Sequence, residues 1–333
     1  MNSGLQVGTE LRITVVCHNI SSPEIASTLP IAQREVVNFL EFRDDRPSPA
    51  GPKNFAVDQT NGRYIAFLDS DDSYDPGALR EWSARAERRQ LDAVIPPERH
   101  AAGGTIRTPV VRPFRSRNLN PLRDRLSYRT APLGLIRRAT LEESRLVFAG
   151  GVRNGSDQIF GLKLWFDSKK IEFARGGPGY IVGADAKTRV TTQLQALGSE
   201  LKATSDLFDD SWFSAQPLSS RRAIAVKSVR ILFFGAVARR FETDSWTADS
   251  HNEAADFLRL TARVAPGYDR TLSVADVQLS AAILLAETLP STLATLSRKR
   301  RAFGAPSTVL TPRLWELLAT DAPLRFMAAS LLH

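Results

Sequence analysis

Three carboxylates fall within four residues at Asp69-Ser70-Asp71-Asp72, the densest chemistry in this 333-residue chain. Like charges at such spacing repel, so a cation belongs among them, and a hard divalent metal is the natural choice. The aspartates follow Tyr64-Ile65-Ala66-Phe67-Leu68, whose length and aromatic and β-branched content read as a buried strand. In open α/β sheets ligands bind beyond the carboxyl ends of the strands, which is where this acidic tip would lie. The plain alternative is a solvated acidic turn, since Asp and Ser are ordinary turn residues. Asp-x-Asp alone is a weak signal. With the strand before it and Tyr74-Asp75-Pro76-Gly77-Ala78-Leu79 after it, the string becomes specific.

That longer string resembles the metal-binding segment of family 2 glycosyltransferases. Asn54, Gly62, Tyr64, Ile65, Phe67, Leu68, Asp69, Asp71, Asp72 and Pro76 all match the family pattern. The resemblance covers roughly residues 11 to 192. It implies an α/β fold of the GT-A kind, a Rossmann-like, mixed and mostly parallel sheet with flanking helices. It further implies transfer of a sugar from a nucleotide donor, a UDP-sugar above others, to a hydroxyl acceptor with inversion. Asp69, Asp71 and Asp72 would then hold Mn2+ or Mg2+ against the donor diphosphate.

The elements that must position this tip can be read in order. Leu11–Cys17 is a first strand, followed by His18-Asn19 and a helix opening near Ser21-Ser22-Pro23-Glu24, where serine caps and proline suits the first turn. Val36–Phe42 is a second strand ending in Arg43-Asp44-Asp45, followed by a Pro-rich turn and then Lys53-Asn54 leading a helix toward Gly62. Pro76–Gln90 has helical spacing, with Leu79, Trp82 and Ala86 on one face. Leu91–Pro96 reads as a strand, Leu133–Leu141 resembles the family strand that enters the acceptor site, and Ile171–Ala174 and Gly179–Gly183 close the catalytic part. Residues 99 to 129 lack periodicity and read as an irregular acceptor-side excursion. Arg112, Arg115, Arg117, Arg123 and Arg125 lie there, either facing an acidic acceptor or, for most of them, simply solvated.

The resemblance carries further residues. Asn19 matches the end of the family's first strand, whereas Cys17 and His18 replace its proline-containing step. Asp44 or Asp45 would hydrogen-bond the nucleobase, and Asn54 would approach the nucleotide together with Lys53. Arg138 falls where the family strand entering the acceptor site ends in arginine. Asp157, in Gly155-Ser-Asp-Gln-Ile-Phe160, matches the catalytic base of inverting members, with Ser156 in place of the usual Glu. A carboxylate there would take the proton of the attacking hydroxyl; the alternative is that it is just the first-turn acid of a helix. Residues 180 to 191 resemble a block in bacterial transferases that decorate teichoic-acid-like wall polymers, where Lys187 and Arg189 either neutralise a phosphate or are plain surface.

Beyond about Gln193 strand signals stop. Leu218–Ala238, Ser250–Val264, Ser273–Thr288 and Pro312–Leu332 have helical spacing or length, and Ser273-Val-Ala-Asp276 has the form of a capping box. The chain is thus expected to comprise a catalytic domain over 1–195 and an α-helical domain over 196–333, serving packing, oligomerisation or acceptor binding. A net charge of +8 is compatible with an anionic glycopolymer, an anionic lipid surface or nucleic acid. No RNA- or DNA-reading motif is present, so no nucleic-acid partner is expected. No apolar stretch approaches the ~20 residues of a membrane span. Peripheral contact at the inner membrane face stays open. One cysteine and the absence of a signal-peptide pattern fit a cytoplasmic protein. The competing reading is a non-enzymatic nucleotide- or polyanion-binding module on a degenerate GT-A fold.

Overall fold

The computed structural model describes residues 3–46, 48–152, 155–183 and 195–332. The chain divides into two compact units. The first comprises residues 1–108, 115–120 and 129–192; the second comprises 109–114, 121–128 and 193–333. The division is therefore not a single cut: two short pieces of the expected excursion belong with the helical unit.

In the first unit, β1 (Ile13–His18) and β2 (Val37–Phe42) pair in parallel, with His18 opposite Phe42. Two short helices, α1 (Ser22–Ser27) and α2 (Ile31–Arg34), make the crossover between them. Helix α3 (Ala50–Asp58) follows. The strand expected over Tyr64–Leu68 is shorter: β3 is Tyr64–Ile65 only. Phe67 remains buried while Leu68 is 49% exposed, because the chain has already left the ladder to form the acidic turn. β4 (Ser73–Tyr74) then leads through a left-handed Gly77 into α4 (Ala78–Arg89).

The remaining strands of this unit are β5 (Ala93–Ile95), β6 (Glu98–His100), β7 (Thr105–Ile106), β8 (Leu135–Arg137), β9 (Ile171–Phe173) and β10 (Tyr180–Val182). With β3 and β4 they form two four-stranded sheets of order β3-β8-β5-β9 and β4-β10-β6-β7. The sheets are mixed, with antiparallel pairings at β10–β4, β3–β8, β5–β8 and β6–β7 beside parallel ones at β1–β2, β10–β6 and β5–β9. Helix α4 packs by the apolar face read from its spacing: Ala78, Leu79, Trp82 and Ala86 are buried with Leu91, Val94, Leu135 and Ala174. The Trp82 indole also donates to the Pro178 carbonyl at 3.0 Å. The segment expected as one strand over Leu133–Leu141 instead changes type after β8. Helix α5 (Arg138–Glu143) starts there, and α6 (Ser156–Asp167) follows.

The second unit is helical. Its elements are α7 (Leu197–Asp209), α8 (Ser211–Ala215), α9 (Leu218–Lys227), α10 (Phe234–Glu242), α11 (Ala248–Val264), α12 (Val274–Leu284), α13 (Pro290–Arg300), α14 (Pro306–Val309) and α15 (Pro323–Leu331). A π-helical stretch, Ser228–Phe233, joins α9 to α10 into the continuous rod read from the sequence. Ser273 and Asp276 form the expected capping box on α12. The single helix expected over Pro312–Leu332 is broken, because Pro323 lacks an N–H and sits in the first turn of α15 instead. Arg125 is buried and Arg112 half-buried, each held by a partner within the chain. Arg112 forks onto Asp124 at 2.8 and 2.7 Å, and Arg125 donates to the carbonyls of Thr320 and Val110. Among the described residues, no helix is long and apolar enough to cross a membrane.

Candidate active site

The acidic turn is held by β10. The Tyr180 hydroxyl donates to Asp72 Oδ2 and accepts from the Asp69 backbone N–H at 3.3 Å. Asp72 Oδ1 accepts from the Gly183 N–H at 2.8 Å. Both oxygens of Asp72 thus serve the turn. Gly183 passes so close that a Cβ there would lie 1.6 Å from the Asp71 carbonyl oxygen, so no side chain fits. Beneath the turn, Tyr74 donates to the Phe67 carbonyl at 2.8 Å and packs edge-on against Tyr180 and Trp82. Burial pushes both tyrosine hydroxyls up from their ordinary range, and for Tyr180 the bond to Asp72 adds to it. Tyr180 therefore stays a neutral donor.

Three elements converge on one ammonium. Lys53 of α3 lies 3.2 Å from Asp69 at the turn and 3.5 Å from Asp157 in the first turn of α6. Its Nζ also sits 5.5 Å above the Phe148 ring, and only 14% of its side chain is exposed. Burial opposes the Lys53 charge, but Asp157 and then Asp69 outweigh it and hold the ammonium above the ordinary lysine value. Burial likewise raises the Asp157 carboxyl, Lys53 works against that, and the neighbouring Asp69 charge adds to the rise. The result is a part-buried carboxyl of raised basicity beside the strand-end aspartate.

Asn54 turns away from this point. Its amide clamps the Phe148 backbone, donating to the carbonyl at 3.0 Å and accepting from the N–H at 2.8 Å. Asn54 thereby fixes the ring that Lys53 covers. Asn19, in the left-handed region with φ 60°, extends the ladder by donating to the Phe42 carbonyl, and its side-chain oxygen accepts from the Asp44 N–H at 3.0 Å. Asp44 Oδ1 lies 2.6 Å from His18 Nε2. Asp45 is exposed.

Arg138 lies at the opposite, amino end of β3. Its guanidinium donates to the carbonyls of Gly62 and Val57 and to the Thr60 hydroxyl, tying down the loop before the strand. The structure does not bring Arg138 to the acidic turn. Arg189 and Lys187 lie outside the described residues.

Whether these residues suit a divalent ion depends on how many carboxylates are available. Among the described residues, no three His, Cys, Asp or Glu side chains converge as an all-protein cage requires, and Asp72 is committed to the turn. Asp69, which also meets Lys53, and Asp71 suit an ion that takes one or two carboxylates and completes its shell with substrate phosphates.

Tyr180, Gly183 and His18 were not singled out as site residues from the sequence, and Lys53 was read only as a nucleotide-side neighbour of Asn54, not as the bridge between Asp69 and Asp157. Lys53 had a signal, its place beside Asn54. The others are joined to the turn or to Asp44 only by long-range hydrogen bonds, which no local pattern announces.

Comparison with known proteins gives these contacts a context. Residues 17–145 match the family model Glycosyl transferase family 2. The poly(ribitol-phosphate) beta-glucosyltransferase of Bacillus spizizenii is 24% identical over 139 residues, 41% of this chain and 22% of that protein. The poly(ribitol-phosphate) beta-N-acetylglucosaminyltransferase TarS of Staphylococcus aureus is 23% identical over 123 residues, 37% of this chain and 21% of that protein. The match thus spans about a fifth of either relative. The crystal structure of S. aureus TarS 1-349 in complex with UDP-GlcNAc superposes with TM-score 0.71 at 15% identity, covering 88% of this chain and 83% of that one. A longer S. aureus TarS structure gives TM-score 0.67 at 14% identity and is half covered, at 50%. The fold is shared with these structures, and residues 17–145 match the family 2 glycosyltransferase model.

Proposed function

We propose that the chain is an inverting glycosyltransferase that moves a hexose or N-acetylhexosamine from a UDP-sugar to a hydroxyl of an anionic polyol-phosphate polymer. The observation that carries this reading is the Lys53 bridge, which sets a carboxyl of raised basicity, Asp157, beside the acidic turn. The UDP-sugar donor is supported by the fold shared with TarS, crystallised with UDP-GlcNAc. The acceptor class is supported by the poly(ribitol-phosphate) relatives and by the net charge of +8.

In this account the acceptor hydroxyl approaches Asp157, which takes its proton as the oxygen attacks the anomeric carbon from the face opposite the nucleotide. The bond from that carbon to the diphosphate oxygen breaks, its electron pair leaves with UDP, and the configuration inverts. Lys53 lies where it can counter charge on the departing diphosphate. Asp71 with Asp69 would hold Mn2+ or Mg2+, which supplies further neutralisation of that leaving group when bound. Tyr180, Asp72 and Gly183 keep the turn in register. Asn19 and His18 fix Asp44 at the nucleobase end.

Incubation with UDP-GlcNAc or UDP-glucose, Mn2+ and poly(ribitol phosphate) tests this. The expected result is UDP release with a matching mass gain on the polymer. Nucleotide binding without transfer to any hydroxyl acceptor would instead favour a binding module, the reading suggested by Ser156 in place of the family's usual Glu.

A further inference from the structure

The last part of the helical unit leaves apolar side chains facing water. Among the described residues, eleven of the seventeen large apolar side chains that are exposed fall between Leu284 and Leu332. Single exposed leucines are ordinary on any surface, whereas a contiguous apolar patch marks an interaction site. Two neighbouring elements build such a patch. The first is a short 3₁₀ turn, Leu314–Glu316, where Leu314, Trp315 and, just beyond, Leu318 are 70, 79 and 69% exposed. Among the described residues Trp315 is the one exposed tryptophan. The turn is anchored: the Arg313 carbonyl accepts from the hydroxyl of buried Thr311 at 2.8 Å and from the Glu316 N–H at 2.9 Å. The second element is α15, whose exposed residues Leu324, Ala328 and Leu331 recur at i, i+4 and i+7 and so share one face. Its inner face is apolar too, with Phe326 against the Tyr128 ring at 4.8 Å. A helix that is apolar all round is normally covered all round; α15 is covered on one side only. Arg325 joins the two elements by donating to the Leu318 carbonyl at 2.9 Å.

The charge around this patch selects its occupant. Arg313 and Arg325 are exposed, Glu316 is half-buried, and the Asp321 carboxyl is drawn inward among Arg230 and Arg125. A second copy docked about a two-fold axis would set the same arginines against each other. A polyol-phosphate chain would meet the arginines but offers no apolar surface to leucine and tryptophan. An anionic bilayer serves both, with phosphates for the arginines and the acyl boundary for the apolar side chains. We propose that the turn at Leu314–Leu318 and the outer face of α15 form a docking surface for an anionic phospholipid bilayer. Trp315 sits at headgroup level, where its amphipathic ring is best placed, with Leu314, Leu318 and Leu324 beside it. Sugar transfer plays no part in this assignment.

The test is co-sedimentation of the full chain with vesicles of phosphatidylglycerol and phosphatidylcholine in equal parts, and with vesicles of phosphatidylcholine alone. The chain should bind the mixed vesicles and bind the neutral ones about 10-fold or more weakly. The triple variant Leu314→Ser, Trp315→Ser, Leu318→Ser should lose about 30-fold or more in affinity for the mixed vesicles, and Arg313→Gln about 5-fold. All four positions are exposed, so the fold should persist, which circular dichroism checks. Trp315→Phe should bind within about 3-fold of the unmodified chain. It should also lose most of the fluorescence quenching that brominated acyl chains produce, because the other tryptophans are buried or half-buried. No binding to the mixed vesicles, or binding that the triple variant leaves unchanged, overturns the proposal. Equal affinity for the two vesicle types overturns the role of the arginines. A concentration-dependent dimer that the triple variant abolishes, without vesicle binding, overturns the proposal in favour of a second copy.

Discussion

Lys53 and Asp157, from different helices, meet at 3.5 Å, and the same ammonium reaches Asp69 at 3.2 Å. One cation thus stands between two carboxylates that would otherwise face each other. Lys53→Met should lower stability by ~1–3 kcal/mol, since breaking a buried pair is costly and the part-exposure of both carboxylates discounts it. Urea unfolding at neutral pH measures this. Turnover should fall much further than stability accounts for, by about 100-fold or more.

The pH profile follows from the Asp157 environment. Its carboxyl is raised, chiefly by burial, and only the ionised form can accept a proton. Activity should therefore fall as pH drops through a limb lying above the ordinary aspartate value of about 3.9. Lys53→Met should move that limb higher still, because the cation favours the ionised form. A limb at or below the ordinary value would count against Asp157. Stability behaves differently. Lys53 is raised above the ordinary lysine value, so its contribution is fully present below about pH 10 and is lost only as strongly alkaline pH passes its folded value.

The hold of β10 on the acidic turn can be tested separately from the chemistry. Tyr180→Phe removes the hydroxyl that joins Asp69 and Asp72 but keeps the ring. It should cost about 1–3 kcal/mol of stability and raise the KM for donor and for Mn2+ more than it lowers kcat. Gly183→Ala drives a methyl into the Asp71 carbonyl; it should abolish metal-stimulated binding of UDP in calorimetry even where the variant folds.

Asn54 distinguishes a clamp from a ligand. Its two bonds to Phe148 predict that Asn54→Ala loses about 1–3 kcal/mol in thermal or urea unfolding with no nucleotide present. A variant with unchanged stability and a weakened Kd for UDP would restore the direct nucleotide contact.

Much of this was legible locally. The acidic tip, the apolar face of α4, the two strands β1 and β2 and the Ser273 cap all follow from patterns of a few residues. Three kinds of feature were not. Strand ends were overestimated where apolar content continued past the ladder, as at Leu68, because composition does not report hydrogen bonding. Arg138 matches a family position by spacing, yet its guanidinium is spent on the Gly62 loop, since an arginine's direction depends on which carbonyls lie within its reach. Tyr180, Gly183 and His18 owe their roles to partners distant in sequence, which topology alone brings together. Arg112 and Arg125 of the irregular segment depart from the solvated reading for the same reason, since Asp124 and the Thr320 carbonyl receive them, whereas Arg115, Arg117 and Arg123 are exposed.

The central claim is tested most directly by Asp157→Asn in a single-turnover transfer assay from UDP-GlcNAc to poly(ribitol phosphate), run alongside calorimetric binding of UDP. The amide keeps the shape of the carboxylate and its place beside Lys53 but cannot take the hydroxyl proton. The account predicts that transfer drops by at least about 100-fold, the lower end of what a general base contributes, while the Kd for UDP stays within about 3-fold. Transfer at the unmodified rate in Asp157→Asn would contradict it.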